Sequence, residues 1–128
     1  MQITRIRALR GPNLWTRSTA IEAIVHCEDS EQLYTAMPGF EDKLRARFPT
    51  IGTLQPHGAD QQLSLAHVLE VAALSLQAQA GCPVTFSRTH ETVEHGTFQV
   101  VVEYTEEAVG KLALEKAGEL VLAALNDT

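Results

Sequence analysis

The chain has 128 residues, 45% of them apolar and 20% charged, which is the balance of an ordinary globular protein built as one domain around a real core. This composition excludes a disordered chain, and a formal net charge of −6 at pH 7 argues against a nucleic-acid partner. Cys27 and Cys82 are too few for a disulfide scaffold and lack metal-ligand spacing, so both are expected to be buried free thiols.

The charges are unevenly spread. Arg5, Arg7, Arg10 and Arg17 fall in the first 17 residues with no acid among them. From Glu91 onward the acids dominate, with Lys111 and Lys116 as the only cations. Arginine, the planar donor suited to carboxylates and phosphates, outnumbers lysine overall. The opening MQITRIRALR has charges where a secretory signal needs an apolar run, and no uninterrupted apolar stretch reaches membrane-spanning length. A cytoplasmic location without a membrane partner is the expectation.

Residues 2–9 hold β-branched residues in imperfect alternation and predict an edge-like strand. RGPNLW, Arg10 to Trp15, breaks it with turn chemistry at Gly11-Pro12-Asn13. Residues 20–27 predict a second strand with Ile21, Ala23, Val25 and Cys27 on one face and Glu22, Ile24 and His26 on the other. After an ambiguous 28–39, the spacing of Phe40, Leu44 and Phe48 predicts an amphipathic helix over 40–48, stopped by Pro49. Residues 50–62 read as a loop.

Residues 63–80 form an almost wholly apolar helix, expected to be a buried central element, ended by Gly81 with Pro83 beyond. Residues 83–88 predict a third strand and 90–96 a connection. Residues 97–104 give the clearest strand, with Phe98, Val100, Val102 and Tyr104 facing one way. Thr105 is the expected N-cap of a last helix, with Glu106 and Glu107 in its first turn, where the helix dipole favours acids. Its buried stripe is expected to be Ala108, Leu112, Ala113, Leu120, Val121 and Ala124. The order β-β-α-α-β-β-α predicts an α+β fold. An antiparallel or mixed sheet of about four strands would carry a buried central helix and a C-terminal helix packed on it.

There is no Gly-rich phosphate loop, no CxxC and no defensible Ser-His-Asp order. The central helix carries Ser64, His67, Glu70 and Gln77 near one line. His67 and Glu70 start the pattern H-x-x-E-H, in which two imidazoles one turn apart hold zinc and the glutamate acts as base. Here the second histidine position is Val71, so a site would need a further ligand from His57, His90 or His95. The pair is either pocket lining or structural, and neither a metal nor a catalytic residue is assigned. Arg10, Asn13 and Trp15 around one turn are a candidate recognition surface or a core anchor. Arg88 and Glu91, at a strand end, are a candidate site or a solvated connection.

An ordered set of segments resembles one family across essentially the whole chain. It comprises Leu9 to Trp15 (LRGPNLW), Met37-Pro38-Gly39-Phe40, the HVLE helix with Ala72-Ala73-Leu74, Gly81, Phe86-Ser87-Arg88-Thr89, and Gln99 to Tyr104. The chain is similar to the N-terminal domain of the cyanophycin synthetase family, and within it most similar to the proteobacterial branch. In that family the domain precedes ATP-grasp and Mur-ligase-like domains, which add aspartate and arginine to a polymer in an ATP-dependent ligase reaction.

The resemblance implies a domain that holds the Asp-Arg polymer, cyanophycin, with no cofactor of its own. ATP and Mg would serve the full-length enzyme, which would be a homo-oligomer. The polymer has a poly-aspartate backbone with an arginine on each side-chain carboxylate, so a holder needs both signs of charge. Arg10, Asn13, Trp15, Ser64, His67, Glu70, Arg88 and Glu91 are the implied polymer-binding residues. Some family members carry a full HxxEH and resemble a zinc-dependent hydrolase that cuts polymer into primers. Val71 departs from that pattern, leaving the hydrolase as an alternative. A scaffold that only packs against other domains or subunits is another.

Overall fold

Every other residue of the two middle strands is apolar, and that pattern sets the architecture. The computed structural model describes residues 1–9, 19–28, 39–48 and 64–126. Four strands, β1 (Gln2–Leu9), β2 (Ala20–His26), β3 (Ser87–Glu91) and β4 (Thr97–Glu103), form one antiparallel sheet in the order β1-β2-β4-β3. Among the described residues three helices, α1 (Phe40–Arg47), α2 (Leu65–Gln79) and α3 (Glu107–Asn126), join the sheet in an α+β fold. The turn at Gly11-Pro12-Asn13, residues 29–38 and the loop at 50–62 lie outside the described residues.

The core lies between one sheet face and the helices. Ile21, Ala23, Val25 and Cys27 of the β2 segment and Phe98, Val100, Val102 and Tyr104 of the β4 segment pack there against α2 and α3. The α2 helix covers the β4 and β3 half, and α3 reaches the β1 and β2 half. Phe40, Leu44 and Phe48 bury the inner side of α1 in the same cluster. Both cysteines are free thiols, with Cys27 buried but Cys82 only half-buried in the coil after α2.

The imperfect alternation of β1 has a local cause. Ile3 pairs with Val25 and Arg5 with Ile24, so Thr4 is an extra residue, a β-bulge whose hydroxyl donates to Ile24 O at 3.2 Å. The bulge lets Ile3 and Ile6 both pack against the core, while Arg5 and Arg7 share the opposite face.

Two element boundaries and one helix face depart from expectation. The third strand spans 87–91 and not 83–88, because Pro83 has no N–H for a ladder and the first β4 contact is Glu103 N–H to Phe86 O at 2.9 Å. The last helix starts at Glu107, so Thr105 is not its cap; Tyr104 is still tied to Thr19 by two bonds, and the chain turns through 105–106 before coiling. The buried stripe of α3 is also rotated. Gly110, Ala113, Leu114, Ala117, Gly118, Val121 and Ala124 are buried, Leu120 is half-buried, and Ala108 and Leu112 are exposed.

Glycine explains the rotation. A Cβ on Gly110 would stand 2.6 Å from Tyr104 Cβ, and one on Gly118 would stand 2.8 Å from Ile3 Cδ1. At both points α3 lies too close to its neighbours for a side chain, and an apolar pattern gives glycine no weight. Gly110→Ala is expected to destabilise the fold by about 1 kcal/mol, overpacking outweighing the helix propensity gained. Gly118→Ala, which meets the movable end of Ile3, should cost less. Urea midpoints of the two variants decide it, and a stabilised Gly110→Ala would contradict the close approach.

Candidate functional site

The polar line on α2 resolves into separate structural tasks. Ser64 caps the helix, its Oγ accepting from His67 N–H at 3.3 Å. In return the His67 ring Nδ1 faces Ser64 Oγ at 3.0 Å and accepts from Ser64 N–H at 3.5 Å. This is a capping box with imidazole in the place usually held by Glu or Gln. At the other end, Cys82 N–H to Gln77 O and Gly81 N–H to Ala78 O close a Schellman stop, with Gly81 at φ 81°. Gln77, fully buried, donates from Nε2 to Glu103 O at 3.0 Å and ties α2 to the end of β4.

Glu70 turns to the sheet. Its Oε2 accepts from Ser87 Oγ at 2.8 Å and its Oε1 from Thr89 Oγ1 at 2.6 Å. The carboxylate is buried, and its two hydroxyl donors come from alternate residues of the edge strand. This arrangement pins β3 to α2.

Strand alternation then divides the expected site. Ser87, Thr89 and Glu91 share the helix side of β3, while Arg88 and His90 point to the other face. Ser64, His67 and Glu70 therefore lie on the helix side, and Arg88, exposed, does not join them. Glu91 accepts from Gly96 N–H at 2.8 Å and lies 3.4 Å from His95 Nδ1, bracing the turn between β3 and β4. Arg10, Asn13, Trp15 and His57 lie outside the described residues. Val71 is half-buried against the core. Among the described residues no three His, Cys, Asp or Glu side chains gather as a metal would need.

The face away from the helices holds a cluster that the strand pattern did not reveal. Glu22, read as outward, is only 4% exposed. Its Oε1 accepts from Arg5 Nη2 at 3.2 Å and from Arg7 Nη2 at 3.1 Å, and its Oε2 accepts from Gln99 Nε2. The signal available in the sequence was two arginines at i, i+2 on β1, a spacing that puts them on one face opposite an acid.

The comparison with known proteins follows the same elements. The Cyanophycin synthase-like N-terminal domain family matches residues 22–126. This chain belongs to that family. The cyanophycin synthetase of Geminocystis herdmanii is 34% identical over 127 residues, covering 88% of this chain, and that of Trichormus variabilis is 35% identical over 125 residues. That of a Synechocystis species is 32% identical over 125 residues. The chain spans 14% of the length of each of these relatives. Within this family domain, the matched residues include α2 and both of its ties to the sheet, Glu70 to β3 and Gln77 to β4.

Removing a buried acceptor leaves its donors unsatisfied, so the two tasks on α2 have different expected costs. Glu70→Ala is expected to lower stability by about 2–3 kcal/mol, and Ser64→Ala by about 1 kcal/mol. Denaturant unfolding measures both. A Glu70→Ala midpoint equal to that of the parent would show that the carboxylate does not hold β3.

Proposed function

We propose that this chain is the part of a cyanophycin synthetase that holds the Asp-Arg polymer while other domains extend it, and that it performs no chemistry itself. The observation that carries this reading is the display of both signs of charge at one sheet edge. Arg88 stands exposed on one face of β3, and Glu91 on the other. A polymer offering guanidinium and carboxylate groups together is matched by charge-assisted bonds of both kinds.

Ser64 and Glu70 are 3% and 7% exposed and already bonded, so in this reading they shape the support and leave contact to Arg88 and Glu91. Arg10, Asn13 and Trp15 remain proposed contacts, and His67 keeps its place in the cap. The ligase reaction, with ATP and Mg, and assembly into a homo-oligomer are assigned to the longer chain that the relatives' lengths indicate. The hydrolase alternative asks for a second imidazole one turn after His67, where Val71 offers no ligating atom.

A second role as a packing surface is favoured by one feature. Leu76 and Ala80 of the α2 segment and Val109, Leu112, Ala113 and Lys116 of the α3 segment line an apolar cavity of about 230 Å³, and Leu112 is 54% exposed beside it. This face suits contact with a following domain.

Calorimetry with synthetic Asp-Arg oligomers tests the holding role. Binding is expected to be weak, to fall as salt rises, and to weaken several-fold in the double variant Arg88→Gln, Glu91→Gln. Absence of oligomer binding by the parent chain would overturn the role.

A further inference from the structure

The cluster on Glu22 holds more positive charge than it needs. Glu22 sits on an inner strand with both carboxylate oxygens engaged, by arginines from β1 and by an amide from β4. Among the described residues one carboxylate is therefore faced by two guanidiniums, an excess of one positive charge. Arg5 and Arg7 each turn one Nη2 toward Glu22, while their side chains stay 58% and 54% exposed. A guanidinium has five N–H donors, so most of each fork is directed elsewhere. Because both Nη2 atoms reach the same carboxylate oxygen, the two guanidinium groups are held next to each other.

The backbone is arranged for this pairing. Without the bulge at Thr4, Arg5 would point with Ile3 toward the core; with it, Arg5 joins Arg7 on the outer face. Arg7, Glu22, Val101 and Arg88 then form one cross-strand row, placing the exposed Arg88 on the same face as the pair. Glu22 lowers the repulsion between the two cations and limits their rotamers, so a ligand meets a preformed site.

We propose that Arg5 and Arg7, braced by Glu22 and Gln99, form a carboxylate-binding site. Resting on the polymer-holding role, its ligand is the free carboxylate that each arginine side group of the polymer carries. Such a site reads the carboxylate end of the side group, a different task from the charge matching at β3. Both arginines precede residues 22–126, the span over which the family matches.

The test compares an Asp-Arg oligomer with the same oligomer whose arginine carboxylates are converted to carboxamides, using the full chain. Amidation is expected to weaken binding about tenfold. Arg5→Lys and Arg7→Lys keep the charge but lose the fork, and should bring the acid form down to the level of the amide form. Arg45→Gln, which removes a cation from α1, should leave the preference for the acid form intact. Equal binding of acid and amide forms by the parent chain, or undiminished acid-form binding by both Lys variants, overturns the site while leaving the holding role standing. If neither oligomer binds, the holding role falls, and titration with succinate decides on the site alone. Saturating shifts of the Arg5 and Arg7 side-chain N–H signals that are abolished in Arg7→Lys support it, and no saturating shift overturns it. Thermal unfolding of each variant checks that Glu22, still bonded to the remaining arginine and Gln99, keeps the strand in place.

Discussion

The antiparallel pairing of β2 with β4 is the constraint on which the rest of the molecule depends. Each strand keeps an apolar residue at every second position, and their register sets Ala23 against Val100 and Val25 against Phe98. One face of the pair is therefore continuous apolar surface, and the other mixes Glu22 and Gln99 with Ile24 and Val101. A one-residue slip would exchange the faces, so the register is fixed by the burial it produces. The helices follow the apolar face, and the polar groups with candidate functions are left to the edges and to the far side.

Among the described residues two carboxylates are buried, one on each side of this sheet, and they do different work. Glu70 reaches from α2 to hydroxyls on β3 and pins an edge strand whose backbone pairs on one side only. Its donors are neutral, which suits a structural tie. Glu22 is met by guanidiniums that remain half in solvent, so its environment is electrostatic and open to further partners. Burial alone does not separate these roles; the charge of the donors does.

The positive charge of the chain's start acquires a position through the fold. The arginines of β1 are spread along eight residues of sequence, but a single bulge gathers Arg5 and Arg7 beside Glu22. The negative charge of the second half is distributed over β3, its turn and the outer side of α3. Both signs are thus present within one small sheet, as a ligand of alternating charge would require.

Much of the fold was legible in the residues. The strand faces of β2 and β4, the apolar α2 with its Gly81 stop and the edge position of β1 follow from periodicities of 2 and 3.6 and from turn chemistry. The family resemblance carried by the HVLE helix and the strand Gln99 to Tyr104 is upheld by the match over residues 22–126. What the pattern could not decide is what depends on contacts between distant segments. The stripe of α3 turned on two glycines whose value is closeness to Tyr104 and Ile3. The limits of β3 turned on where its backbone first meets β4. The polar line on α2 is legible as a spacing, but only the tertiary structure shows Glu70 bonded to Ser87 and Thr89, Ser64 capping with His67, and Arg88 on the other side of β3. Glu22 looked like a solvated residue because alternation gives direction and not cover. The cover comes from arginines on a neighbouring strand, brought there by a bulge that a one-dimensional pattern registers only as an irregularity.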